Sequence, residues 1–155
     1  MALENQPIIQ TRHTEKYVLL VSPPSRMVNH YRPPLALMYI SGFLKKKGIK
    51  SQIIDSVMED KIVRDSSFFA NREYYFAEIE KDIISKIQTI NTDVIGITCY
   101  TPEVDEVERL ASKIKQVKPN AKIVAGGIHP TLYPDDLLGP NSDIDFVVFG
   151  EGEIS

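Results

Sequence analysis

The chain has 155 residues, the span of one compact domain, and its 43% hydrophobic and 25% charged side chains are an ordinary globular balance. Its 18 basic and 21 acidic residues are interspersed and leave a net charge of −3, so no basic stripe exists to neutralise phosphates, which argues against a nucleic-acid partner. The single cysteine, Cys99, cannot form an internal disulfide, no Cys/His cluster has the spacing of a metal site, and no apolar run approaches the ~20 residues of a spanning helix; the expectation is a cytoplasmic protein with no membrane partner.

Residues 1–16 read as a flexible polar leader and residues 17–155 as one domain. Tyr17-Val-Leu-Leu-Val21 is a short continuous apolar run, which suits a strand buried on both faces of a parallel sheet, and it stops at Ser22-Pro23-Pro24. Leu35, Leu37, Met38, Ile40, Phe43 and Leu44 recur at mostly helical spacing, and Lys45-Lys46-Lys47 followed by Gly48 ends that first helix. Ile49 to Asp55 is a second strand, separated by the polar-aromatic stretch Ser56 to Tyr75 from a helix over Phe76 to Ile90. Asp93-Val-Ile-Gly-Ile-Thr98 is a third strand before a helix over Glu103 to Lys118, with Pro102 and Glu103 in its first turn. Ala121 to Ala125 runs as a fourth strand into Gly126-Gly127, and Asp145 to Phe149 as a fifth into Gly150-Glu151-Gly152-Glu153.

Strands alternating with helices of this length specify right-handed crossovers, hence an α/β fold: a Rossmann-like, five-stranded parallel sheet of flavodoxin-like order 2-1-3-4-5 with helices on both faces. Such a sheet binds its ligand outside the carboxyl ends of its strands. The loops Ser22 to Pro34, Tyr100 to Pro102, Gly126 to Thr131 and Gly150 to Glu153 all fall on that edge. Because the chain stops just after a strand and a turn that should open another helix, it reads as the first part of a longer protein.

No Gly-x-Gly-x-x-Gly follows the first strand and no Walker pattern is present, so dinucleotides and nucleoside triphosphates are poor candidates. The remaining signal is Val-Ala-Gly-Gly-Ile-His-Pro-Thr, in which two glycines let the backbone approach a bulky flat ligand; the alternative is a tight strand-to-helix turn.

Thr98-Cys99-Tyr100, Gly126-Gly127 and the strand order resemble the cobalamin-binding fold, in which Ser-x-Leu follows the third strand and Gly-Gly the fourth. Here Thr98 keeps the hydroxyl and Tyr100 replaces the leucine. More specifically, Leu19-Leu-Val-Ser-Pro-Pro-Ser25, Arg32-Pro-Pro-Leu-Ala-Leu-Met-Tyr39, Lys47-Gly48, Val124-Ala-Gly-Gly-Ile-His-Pro-Thr131 and Asp145-Phe-Val-Val-Phe-Gly-Glu-Gly-Glu153 resemble the N-terminal cobalamin-binding domains of radical S-adenosylmethionine proteins, the group of class B methyltransferases and the anaerobic magnesium-protoporphyrin ester cyclase. Ala36 stands where that family often has glycine, and the Asp-x-His-x-x-Gly motif that supplies a lower histidine ligand elsewhere is absent.

The resemblance implies cobalamin bound base-off, its dimethylbenzimidazole tail inserted along the sheet and contacted by Thr98, with Ser22, Pro23, Arg32, Tyr100, Thr101, Gly126, Gly127, His129, Glu151 and Gly152 around the cofactor. Arg32 would reach a propionamide or phosphate, or else be a surface arginine. His129 would bond a corrin amide or the nucleotide tail, and His30 is a minor candidate for cobalt; a solvated loop histidine is the alternative for both. Glu151 and Glu153 suit a helix start better than acid–base chemistry, and Cys99 suits packing better than ligation. No residue is assigned a catalytic role.

The function so implied is that of a cofactor domain, non-catalytic alone, presenting the corrinoid to a C-terminal radical S-adenosylmethionine domain of the same chain that carries a [4Fe-4S] cluster and S-adenosylmethionine, for radical methyl transfer or a related reaction. The alternative is a stand-alone flavodoxin- or receiver-like binding or signalling module.

Overall fold

In the computed structural model, residues 17–25, 33–56 and 72–152 are described. The expected leader, His30, Arg32, Glu153 and residues 57–71 of the polar-aromatic stretch lie outside them.

Five parallel strands, β1 (Tyr17–Ser22), β2 (Lys50–Asp55), β3 (Val94–Thr98), β4 (Lys122–Gly126) and β5 (Phe146–Val147), form one sheet in the order β2-β1-β3-β4-β5, the expected topology. The helices are α1 (Leu35–Lys46), α2 (Arg72–Thr89), α3 (Val104–Val117) and the short α4 (Ile128–Leu132). Side-chain alternation divides each strand between two faces. Leu19 and Val21, Ile95 and Ile97, Ile123 and Ala125 point to one face. There they pack on the α2 stripe Ile79, Ile83, Ile87 and the α3 stripe Val107, Leu110, Ala111, Ile114, the core formed by the described residues. Burial of each such aliphatic side chain contributes about 1.5–3 kcal/mol. Between the two helices the buried Glu80 carboxylate accepts a hydrogen bond from Arg109 Nε at 2.6 Å and pairs with Lys113, so its charge is compensated. On the other face α1 packs mainly against β2 and β1 and buries only Leu37 fully.

Three boundaries differ from expectation. Helix α2 begins at Arg72, four residues before Phe76, because the apolar stripe starts at Phe76 while Glu73 and Tyr74 ahead of it are exposed. The helix expected from Glu103 is preceded by a 3-10 turn over Thr101–Glu103. The fifth strand covers Phe146–Val147 rather than Asp145–Phe149, because β4, its neighbour among the described residues, ends in the glycine turn.

Asp145 extends the ladder one residue ahead of β5. Its N–H donates to Ile123 O, while its carboxylate accepts from Ile123 N–H at 2.9 Å and from Lys115 and Lys122 at 2.7 and 2.8 Å. Partial burial works to raise its pKa, but the Ile123 N–H and the two ammonium groups together hold the carboxyl well below the usual carboxylate range. A depressed folded pKa contributes stability that is fully present above the unfolded value of about 3.9 and is lost as pH falls through the folded value. Urea unfolding of Asp145→Asn is therefore expected to give a stability lower than the parent by on the order of 1 kcal/mol at pH 7. That gap should narrow below about pH 4; a gap independent of pH would refute the ion-pair account.

Candidate functional site

Strand register builds the site. Across the face under α1, Leu20 pairs with Gly96 and Gly96 with Val124; one step toward the carboxyl ends, Thr98 pairs with Gly126. Each glycine leaves a dip between larger neighbours. The result is a cavity of about 670 Å³ between α1 and the bare part of the sheet, bordered at its mouth by Gly126–Gly127 and Gly150–Gly152. That volume lies within the roughly 300–1,000 Å³ of small-molecule sites. Its lining side chains are aliphatic apart from Thr98, Glu151 and the largely exposed Tyr39.

The two consecutive glycines do different work. A Cβ on Gly126 would meet nothing nearer than Val148 at 3.8 Å, so its missing side chain is cavity space. Gly127 has φ +111° and ψ −163°, and a Cβ there would stand 2.9 Å from Cys99 O and 3.1 Å from Thr98 Oγ1. No L side chain adopts that conformation without strain. The close approach lets Cys99 N–H donate to Gly126 O at 2.7 Å and His129 N–H donate to Cys99 O at 3.2 Å, which locks the β4–α4 turn onto the end of β3. Thr131 ties this turn to the next: its hydroxyl donates to Gly127 O at 2.7 Å and accepts from Gly150 N–H at 3.0 Å.

Of the residues expected around a ligand, Thr98, Gly126, Gly127, Glu151 and Gly152 line this cavity. Ser22 and Pro23 close the end of β1 instead, their carbonyls accepting from Ser56 N–H and Ser56 Oγ. Tyr100 projects from the rim, half exposed, and its N–H donates to Glu103 at 3.3 Å. His129 is buried, not solvated, its Nδ1 3.3 Å from Thr101 Oγ1, its ring against Tyr133 and its Nε2 3.5 Å from Asp136. Burial first, then the charges of Glu103 and Glu108, push the Cys99 thiol up to about 12, so it is a neutral packed group and no nucleophile. Burial also raises Glu103, against the hydrogen bonds from Ser25 and Tyr100 that lower it, while the nearby Glu106 charge adds to the rise. Among the described residues no group of three His, Cys, Asp or Glu is placed to hold a metal, and no helix is long and apolar enough to cross a membrane.

The groove floor, Val18, Leu20, Val94, Gly96 and Val124, was not among the expected site residues. In strands that are apolar on both faces, periodicity does not say which face is open. Gly96, a glycine inside a strand, was the available signal, since such a position often marks close approach of another group.

Comparison with known proteins agrees with this arrangement. The anaerobic magnesium-protoporphyrin IX monomethyl ester cyclase of Rubrivivax gelatinosus is 32% identical over 121 residues, 78% of this chain and 19% of the relative. An uncharacterized methyltransferase of Pyrococcus horikoshii is 29% identical over 143 residues, 89% of this chain and 27% of the relative. The structure of the radical S-adenosylmethionine methyltransferase TsrM from Kitasatospora setae, with cobalamin and a [4Fe-4S] cluster bound, superimposes with a TM-score of 0.53 at 21% identity, over 77% of this chain and 20% of that one, which shows the shared fold. This chain thus spans about a quarter or less of the length of these proteins. The family model of the B12 binding domain matches residues 26–155, most of the chain, and the chain belongs to the B12-binding domain family.

Proposed function

We propose that this domain seats cobalamin base-off over the carboxyl ends of its strands, with the nucleotide tail in the groove beside α1, as the cofactor domain of a longer radical S-adenosylmethionine enzyme of the methyltransferase type. The observation that carries the reading is the groove itself: a deep slot floored by Gly96 and Gly126, adjoining a turn that forbids a side chain at Gly127. The residues fit the group. Gly126 provides the space, Thr98 Oγ1 offers a hydrogen bond where the tail would pass, and the Gly150–Gly152 turn with Glu151 borders the mouth. When bound, the cofactor supplies methyl-transfer chemistry at cobalt that no side chain offers; the chain's own residues hold, orient and dry it. Family membership leaves the flavodoxin- or receiver-like alternative without support. The resemblance to the ester cyclase and to TsrM supports a catalytic domain with an iron–sulfur cluster and S-adenosylmethionine elsewhere in the same chain; a cluster cannot be held by the single cysteine here. Titration of hydroxocobalamin with the protein is expected to shift the corrin absorption to the base-off form. An unchanged spectrum at saturating protein would remove the proposal.

A further inference from the structure

We infer that the groove selects among corrinoids by their lower base, accepting an apolar benzimidazole-type ring and discriminating against a purine. The inference rests on the reading above and concerns what the tail slot excludes. Its floor is set by strand register: Val18 lies beside Val94, and Leu20, Gly96 and Val124 run side by side across three strands. The opposite wall is the apolar flank of α1 at Ala36, Ile40 and Leu44. The backbone N–H and C=O groups beneath are engaged in the parallel ladders β1–β3 and β3–β4, so the floor offers few main-chain donors or acceptors. Of the three polar side chains of the lining, Thr98 and Glu151 stand beside the carboxyl ends of β3 and β5, and Tyr39 on α1 is largely exposed, so none belongs to the floor strands at Val18, Leu20, Val94, Gly96 or Val124.

A dimethylbenzimidazole presents methyl groups and a carbocyclic edge to such walls, and loses little on leaving water. Adenine presents ring nitrogens and an exocyclic amine to the same walls. Those groups must be stripped of water and find no partner at the groove floor, and an unmet buried polar group is expensive. Shape alone discriminates weakly between two flat bicyclic rings, so the difference arises from the absence of polar side chains on the slot's floor.

The test measures affinities of the protein for cobalamin and for its adenine-containing analogue by absorption titration, with calorimetry as a second readout. The parent protein is expected to bind the adenine form at least about tenfold more weakly. The intrinsic ease with which each base leaves cobalt belongs to the free ligand, so it cancels when the affinity ratio is compared between variants. Val124→Thr keeps the shape and places a hydroxyl on the groove floor, and it is expected to shrink the ratio at least about threefold. Val148→Thr repeats the measurement from the residue that follows β5 if Val124→Thr fails to fold by circular dichroism. Base-off binding of both corrinoids with a ratio near one, or a ratio unmoved in the folded variants, would overturn the selectivity and leave the proposed function standing. Failure of cobalamin itself to bind base-off would overturn both.

Discussion

Gly127→Val is expected to abolish the folded domain or leave it destabilised by roughly 3 kcal/mol or more, with corrinoid binding lost as a consequence. Two independent costs coincide at this residue. The backbone sits at φ +111°, a region that disfavours every L side chain and a β-branched one most. The new Cβ would also be driven within 2.9 Å of Cys99 O, a main-chain atom fixed in the strand-to-turn hydrogen bonds and unable to step aside. Thermal unfolding followed by circular dichroism measures the effect. A variant that melts like the parent would show that the turn tolerates other conformations.

Gly126→Leu is expected to do the opposite: to leave the melting temperature near that of the parent and to weaken cobalamin binding roughly tenfold to a hundredfold. The position has no positive φ, and its virtual Cβ meets only ordinary contacts with Val148, so the backbone accepts a side chain. The leucine then occupies the slot between Thr98 and Val148. Overfilling a close-packed space costs about 1–3 kcal/mol, and each 1.4 kcal/mol is a tenfold change in affinity. Spectral titration of the folded variant provides the number; parent-like affinity would mean that the tail does not lie along this strand. The pair of substitutions separates two roles that consecutive identical residues conceal.

Much of the architecture was legible in the sequence because the physics was local. Leu19 to Val21, Ile95 to Ile97 and Ile123 to Ala125 sit in continuous apolar runs bounded by turn residues, and Gly48 at φ +73° follows three lysines where α1 ends. The α4 helix was hidden because five residues containing Pro130 are too few to display a period. The strand expected through Phe149 failed on tertiary grounds: Val148 N–H still reaches Ala125 O, but beyond it β4 has turned away and no partner is left. Of the cavity lining, Gly126, Gly127, Thr98, Glu151 and Gly152 were singled out by local motifs, whereas the floor depended on register between strands distant in sequence. The burial of His129 depended on Thr101, Tyr133 and Asp136 converging from separate turns, which no spacing rule encodes.

The double role of the Thr131 hydroxyl has a mechanical result. Because one oxygen bonds both Gly127 and Gly150, neither turn can swing outward without breaking its neighbour's bond, and the glycine side of the opening behaves as one stiff jaw. The compliant jaw is then α1, whose Leu35, Met38 and Tyr39 pack on little and stand largely in solvent. Whatever widening a bulky guest demands on entry falls to that helix.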